Sequence, residues 1–192
     1  MSGTRASMEA PSGGRHCRSD QWRDHGLRRK IHLGIDEQTP EVRALEITGS
    51  HIGDAPVLPD FLGQIPPEQE IGSVTADGAY DTRKCRDAIA DRGAHAVIPR
   101  RKNARPCKPA TAGAILRNEA LRASKYLGRV IWRNWSGYHR RSRAETKMPC
   151  MKLLGQRLMA RDFDRQVAEV QVRIAIMNGY TALGMPVTKT AG

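Results

Sequence analysis

The pattern of apolar and polar positions predicts that strands and helices alternate along the chain. Residues 30–36 alternate apolar with other side chains, and residues 42–48 repeat this period of two. Because the polar residues 37–41 join the two segments, they predict a β-hairpin. Helical spacing then predicts a short amphipathic helix over residues 54–65, which ends at the prolines 66–67.

The middle of the chain predicts two further strands that flank a helix. An apolar run over residues 71–76 predicts a buried strand and ends at Asp77, so Asp77 lies in the loop that follows the strand. Either Asp81 or Thr82 is placed to cap the next helix. Residues 94–98 predict the second strand, and the alternation indicates an α/β fold.

The C-terminal half predicts mainly helices. Residues 115–127 have helical spacing, residues 138–152 form a second helical segment, and residues 163–183 predict a long helix with one apolar stripe. An apolar cluster of residues 130–132 and Trp135 precedes the second segment. Their tryptophans are typical of a core, although tryptophans also serve as platforms on which bases stack.

The composition indicates one domain with unstructured ends. The chain has 192 residues with 39% hydrophobic content, enough to build the core of one α/β domain. Residues 1–21 contain hardly an aliphatic side chain and predict a disordered tail, as do residues 187–192. The predicted domain therefore covers residues 22–186.

Charge and cysteine usage narrow the function. The formal net charge of +12 favours a polyanionic partner, although basic ribosomal and membrane-surface proteins share this property. The apolar runs are too short for a membrane span, and the N-terminus lacks a signal-peptide pattern, so we expect a cytoplasmic protein. The four cysteines form no Cys-x-x-Cys pair, which argues against a zinc ribbon or a redox motif.

Two polar segments are candidates for function. Residues 99–109 place Arg100, Arg101 and Lys102 between prolines, so the segment is predicted to be non-compact and either to bind phosphate or to form a solvated basic loop. In the second segment four polar side chains fall within about 60° on a helix. These are Tyr138, Arg141, Glu145 and Lys152. Spacing alone also allows a surface ladder of ion pairs.

Three ordered blocks resemble a known family. The spacing Tyr138-x2-Arg141-x3-Glu145-x6-Lys152 is similar to the signature of bacterial insertion-sequence transposases of the DDE class. Residues 75–81 (TADGAYD) resemble the block in which that family places its second catalytic aspartate, and residues 98–104 (IPRRKNA) resemble another of its blocks. The resemblance covers about residues 22–186.

The resemblance implies a fold, a chemistry and a partner. The fold is an RNase H-like mixed sheet flanked by helices, in which three carboxylates hold two Mg²⁺ or Mn²⁺ ions for phosphodiester cleavage and strand transfer. Asp77 and Glu145 match the second and third carboxylates. Tyr138, Arg141 and Lys152 match residues that support the end of the transposon DNA. The implied partners are transposon ends and target DNA on the nucleoid, and assembly of several copies is left open.

The first carboxylate departs from the family pattern. Counting back from the resembling blocks places it near residues 9–13, where the sequence has no aspartate. Asp20 lies in a polar stretch and Asp36 occupies a position that the family does not use for catalysis, so we expect neither to replace it. We therefore expect a fold that is incomplete at its N-terminus, as in a truncated or frame-shifted copy, with unpaired interior strand edges.

Three functions follow from these observations. The first is a DDE transposase domain, either active or inactive because its first aspartate is missing. The second is a non-catalytic basic DNA-binding or regulatory fragment. A cellular RNase H-like nuclease also fits the acidic residues, but it leaves the blocks at residues 98–104 and 138–152 unexplained.

Overall fold

The computed structural model describes the backbone of residues 14–24 and 27–184, and the side chains from Arg29 to Gly184. Five strands form one mixed sheet: β1 (Gly14–Asp24), β2 (Leu27–Asp36), β3 (Val42–Gly49), β4 (Ser73–Thr75) and β5 (His95–Val97). Their order in the sheet is β3-β2-β1-β4-β5. Neighbouring strands are antiparallel from β3 to β1 and parallel from β1 to β5.

Six α-helices and three short 3₁₀ turns complete the described fold. The helices are α1 (Leu58–Gly63), α2 (Arg83–Asp91), α3 (Ala112–Leu127), α4 (Arg129–Trp135), α5 (Ser142–Leu153) and α6 (Phe163–Leu183). The 3₁₀ turns are Ala55–Val57, Gly78–Tyr80 and Tyr138–Arg141. None of the helices in the described ranges is long and apolar enough to cross a membrane.

The first strand corrects the predicted N-terminal tail. Residues 14–21, which the composition assigned to a disordered tail, form most of β1. The prediction was wrong here because β1 pairs through its backbone with both β2 and β4, and apolar content does not report such pairing. Residues 1–13 and the predicted tail 187–192 lie outside the described residues.

The predicted gap inside the sheet is also wrong. We expected interior strands to lack a neighbour, but β1 lies between β2 and β4 and pairs with each of them. Ten residue pairs, from Arg15 with Asp36 to Asp24 with Leu27, join β1 to β2. The described sheet therefore has no interior edge left open by a missing strand.

Most of the periodic predictions are confirmed. The hairpin is β2 and β3, the two later strands are β4 and β5, and the predicted long helix coincides with α6. The predicted choice of cap is resolved in favour of Thr82, whose hydroxyl accepts a hydrogen bond from the backbone N–H of Cys85 at 3.2 Å.

The sheet has an apolar layer of helices on each face. On one face the fully buried Ile31, Leu33 and Ile35 pack with apolar residues of α5 and α6. On the other, α1 and α2 cover β3, β4 and β5. A Cβ atom on Gly34 would lie 3.0 Å from the Phe61 ring, so the glycine allows α1 to approach β2 closely.

The tryptophans before α5 divide between core and surface. Trp132 is 4% exposed, as predicted for a core residue, but Trp135 is 72% exposed. The two side chains lie three residues apart on neighbouring parts of the α4 surface, but only Trp132 reaches the core, and Trp135 is the last residue of the helix. The prediction of a buried tryptophan cluster was therefore wrong for Trp135.

A buried histidine lies on the α1 face of β2. The Nε2 atom of His32 lies 2.9 Å from the Thr48 hydroxyl, and its ring meets the Phe61 ring edge-on. Its Nδ1 atom has no hydrogen-bond partner in the described part of the chain. Burial lowers the pKa of His32 to about 4, an effect that the nearby Asp54 carboxylate opposes and Lys30 strengthens.

We expect the protein to lose stability as the pH falls from about 6.5 to about 4. Over this range the unfolded chain takes up a proton on His32 that the folded protein resists, which lowers the free energy of unfolding by up to about 3 kcal/mol. Urea unfolding at several pH values measures this loss. His32→Gln should reduce the pH dependence, and exposed His51→Gln should retain it; equal pH profiles for the two variants would contradict the assignment. Burial also lowers the pKa of His95, which adds a trend of the same sign to both variants.

Candidate functional site

Asp77 lies where the sequence placed it, in the loop directly after β4. Its side chain caps the 3₁₀ turn Gly78–Tyr80 by accepting a hydrogen bond from the backbone N–H of Ala79 at 2.8 Å. The side chain remains 40% exposed. The short turn therefore fixes the carboxylate while leaving part of it open to solvent.

Arg141 brings the two predicted carboxylates together. Its Nη2 atom lies 3.8 Å from Asp77 Oδ2 and 3.4 Å from Glu145 Oε1. The two side chains converge, because both oxygens lie within 4 Å of one nitrogen although the residues are far apart in sequence. The Glu145 side chain is 45% exposed, so both carboxylates can be reached from solvent.

Tyr138 holds the other side of the same guanidinium. Arg141 Nη1 donates a hydrogen bond to the Tyr138 hydroxyl at 3.3 Å, and the Arg141 guanidinium carbon lies 5.9 Å from the Tyr138 ring centre. Arg141 Nε is buried and has no hydrogen-bond partner among the described residues. Tyr138, Arg141 and Glu145 thus form a connected group with Asp77.

The predicted helix over these residues has two parts. Tyr138–Arg141 is a 3₁₀ turn, and α5 begins at Ser142. Gly137 precedes the turn with a φ of +71°, a backbone conformation that glycine adopts readily. Lys152 lies near the C-terminal end of α5, about two turns after Glu145, and is partly buried.

The basic loop packs against the loop of Asp77. Arg101 donates hydrogen bonds from Nε to the Gly78 carbonyl at 3.0 Å and from Nη2 to the Ala79 carbonyl at 2.7 Å. Arg100 Nε donates to the Ser124 hydroxyl at 3.3 Å, and Lys102 is exposed. Arg101 therefore supports the turn beside Asp77, and Arg100 connects the loop to α3, in addition to carrying charge.

A buried carboxylate that the sequence placed only as a possible helix cap organises this region. Asp81 is 5% exposed, and its Oδ1 accepts from Arg86 Nε at 3.3 Å and from Arg117 Nε at 3.1 Å. Its Oδ2 accepts from Arg117 Nη2 at 3.2 Å and from the backbone N–H of Arg101 at 3.3 Å. Asp81 closes the TADGAYD block, which was the available signal in the sequence.

The prediction that residues 99–109 do not fold compactly is wrong. Arg117 Nη1 donates to the Arg105 carbonyl at 2.9 Å, and Asn118 bonds both the N–H and the carbonyl of Cys107. These contacts fasten the loop to α3. The sequence window around the loop could not show this, because the partners come from the following helix.

Two buried cations, Arg86 and Arg117, share the single carboxylate of Asp81. Burial lowers the pKa of Arg86, and Asp81 opposes that effect. Arg86 Nη2 donates to the Ile98 carbonyl at 2.9 Å, so this carbonyl satisfies a donor of Arg86 that Asp81 does not bond.

A Cβ on Gly113 would lie 2.4 Å from the Asp87 backbone nitrogen, so the glycine permits the close packing of α3 on α2 that brings Arg117 to Asp81.

The described side chains supply only part of a two-metal site. They contain no group of three or more His, Cys, Asp or Glu residues that could hold a metal ion. Asp36 is 8% exposed, and its Oδ1 accepts from the N–H groups of Gln38 and Thr39, so it serves the β2–β3 turn. The side chains from Arg29 to Gly184 therefore do not by themselves fit a pair of metal ions.

The register of β1 with β4 identifies the backbone positions beside Asp77. The paired residues are Gly14 with Ser73, Arg15 with Val74 and His16 with Thr75. Continued for two more residues, the same register places Arg18 level with Asp77. Asp20 lies about 7 Å further along β1. The strand position beside Asp77 thus carries no carboxylate in this sequence.

We expect Asp81→Asn to destabilise the protein by about 3–5 kcal/mol, because it leaves two buried guanidinium groups without their counter-charge. Urea unfolding gives the change in the free energy of unfolding. Asp91→Asn, which alters an exposed carboxylate at the end of α2, is the matched control and should change stability by less than about 0.5 kcal/mol. Equal stability of the two variants would show that Asp81 is not needed to hold the arginines.

Comparison with known protein families identifies the chain. No solved structure matches it. The family model for the transposase DDE domain matches residues 7–178, which include β1, the Asp77 loop, the basic loop and α5. This family acts in DNA transposition and generally uses divalent metal ions. Since the match covers most of the sequence, the chain belongs to the family of transposase DDE domains.

Proposed function

We propose that this domain binds the DNA of transposon ends at the Asp77–Arg141–Glu145 cluster, and that the chain is by itself a poor catalyst or none. The observation that carries the proposal is the convergence of two carboxylates on Arg141 without a third carboxylate among the described side chains. The net charge of +12 supports the binding of a polyanion. On this proposal the protein is associated with the nucleoid.

An RNase H-like fold is part of the same proposal. It is supported by membership in the family and by the mixed sheet with helices on both faces. Asp77 follows a strand that is parallel to the central β1, and Glu145 reaches it from a helix packed on the sheet. This arrangement accounts for the convergence of distant carboxylates at one edge.

The described residues are poorly suited to the metal-dependent step of the reaction. In this family divalent ions would activate the attacking oxygen and stabilise the leaving oxygen. Magnesium requires nearly ideal octahedral oxygen ligation, and two carboxylates shared with an arginine provide too few ligands to fix two ions. We therefore assign to the described residues the binding and orientation of DNA, and derive no cleavage step from them.

The residues present can hold a DNA phosphate beside the carboxylates. Arg141 carries the positive charge between Asp77 and Glu145, and Tyr138 fixes its orientation through the hydroxyl and the ring. Lys102 is exposed on the loop that packs against the Asp77 turn, and Lys152 supplies a further cation on α5. The same residues also suit the alternative function, a non-catalytic DNA-binding fragment. The two functions differ in that such a fragment would not depend on a metal ion.

We expect the purified chain to bind DNA but to show little strand cleavage, even with millimolar Mg²⁺ or Mn²⁺, because the metal pair lacks ligands. A gel assay with labelled DNA that carries the matching terminal sequence measures both properties. Glu145→Gln is the control and should leave the background unchanged. Efficient cleavage that Glu145→Gln abolishes would show that another residue, Asp20 or Asp36 first, completes the site.

We expect Arg18→Asp to strengthen binding of Mn²⁺, because it adds a carboxylate at the strand position level with Asp77. Titration calorimetry with MnCl₂ measures the affinity. Cys17→Asp is the matched control, since neighbouring residues of a strand face opposite sides of the sheet and at most one of them can join the cluster. Equal affinity in both variants and the parent chain would contradict the inferred register.

A further inference from the structure

Helix α4 carries an exposed basic surface beside the candidate site. The sequence between Glu119 and Glu145 contains no acidic residue. Its cations are Arg122, Lys125, Arg129, Arg133, Arg140, Arg141 and Arg143. Within α4, both Arg129 and Arg133 are exposed. In the described part of the chain, neither donates a side-chain hydrogen bond or forms a salt bridge, so their donors can bind a ligand.

Contacts through Tyr138 connect this helix with the site. The Arg133 guanidinium carbon lies 5.5 Å from the centre of the Tyr138 ring, and Arg141 approaches the same ring at 5.9 Å. The buried Trp132 lies 6.2 Å from that ring, centre to centre. Since Trp132 anchors α4 and Tyr138 orients both arginines, the positive charges are held in place before any ligand binds.

The spacing suits a phosphodiester chain. Arg129 and Arg133 are four residues apart, which places them about 6 Å apart along one side of the helix. A DNA strand carries one phosphate per about 3.4 Å of helix axis, so both guanidinium groups can meet phosphates of one backbone segment. Arginine also presents several donors in one plane, which matches phosphate oxygens.

The basic loop is less free to make such contacts. Arg101 uses Nε and Nη2 on backbone carbonyls, and Arg100 Nε binds the Ser124 hydroxyl. DNA binding by these arginines would have to share or break those bonds. On α4 the phosphates would instead meet guanidinium groups that have no hydrogen-bond or salt-bridge partner among the described residues.

Charge also decides between DNA and a second copy of the protein. Trp135 and Val130 on α4 are each 72% exposed, so a partner would bury apolar as well as charged surface. A second copy would bring a net charge of +12 to a helix that itself carries two arginines and no acidic residue, and the two would repel. A polyanion is the complementary occupant.

We propose that α4 is a DNA-contacting helix, on which Arg129 and Arg133 bind consecutive backbone phosphates of the DNA that leads to Tyr138 and Arg141. The inference rests on the proposed function, since it requires that the domain binds DNA. It adds two contact residues outside both the basic loop and the signature residues. The contacts are to the phosphate backbone, so they carry no base specificity.

The test compares two variants of equal charge. Arg129→Gln/Arg133→Gln should weaken binding of a short fluorescein-labelled DNA duplex of mixed sequence roughly tenfold. It should also lower the slope of log affinity against log salt by about 1.8. Arg161→Gln/Arg165→Gln removes two exposed arginines near the start of α6 and should change both quantities much less. Anisotropy titrations at several salt concentrations give the affinity and the slope.

The outcomes separate the two proposals. If the parent chain does not bind the duplex, the proposed function fails. If it binds and both double variants lose affinity equally, only the role of α4 is overturned. A changed sedimentation coefficient of the DNA-free α4 variant, with unchanged DNA affinity, would also overturn that role and assign the helix to a protein interface.

Discussion

The buried carboxylate of Asp81 holds together the parts of the chain that surround the candidate site. It joins the end of the Asp77 turn to α2, to α3 and to the backbone of the basic loop. Because one carboxylate cannot satisfy all the donors of Arg86 and Arg117, their other donors bond the carbonyls of Ile98 and Arg105. The unmet hydrogen-bonding capacity of two buried cations thus determines the course of the loop.

The sequence predicts a strand or helix well when the apolar pattern of that element itself accounts for its burial. The β2–β3 hairpin and α6 show their burial in their own apolar period, and their predicted bounds agree closely with the structure. The same reasoning failed for β1 and for the basic loop, because neighbouring strands and α3 stabilise them. It failed for Trp135 because bulk alone does not show which of two neighbouring side chains on a short helix reaches the core.

The sequence likewise predicted the local features of the candidate site and missed those that depend on distant contacts. Motif resemblance identified Asp77, Arg141 and Glu145, and helical spacing correctly placed Arg141 one turn from Glu145. Spacing could not bring Asp77 to them, since that contact depends on how α5 packs against the sheet. The structural use of Arg101 was missed for a related reason: a cation in a proline-rich loop looks free until its carbonyl partners are known.

Arg141 also affects how strongly the two described carboxylates can attract a metal ion. Two carboxylates and one guanidinium leave a single net negative charge at the centre, and a third carboxylate would double it. A divalent cation must compete with the Arg141 guanidinium, which already lies within 4 Å of both carboxylates. Both carboxylates are also partly exposed, and water weakens their attraction for the cation. Phosphate would experience the opposite balance at the exposed cations outside this centre, which are Lys102, Arg129 and Arg133. On the proposed function, the charges of the described side chains therefore favour the binding of a DNA phosphate over that of a metal pair.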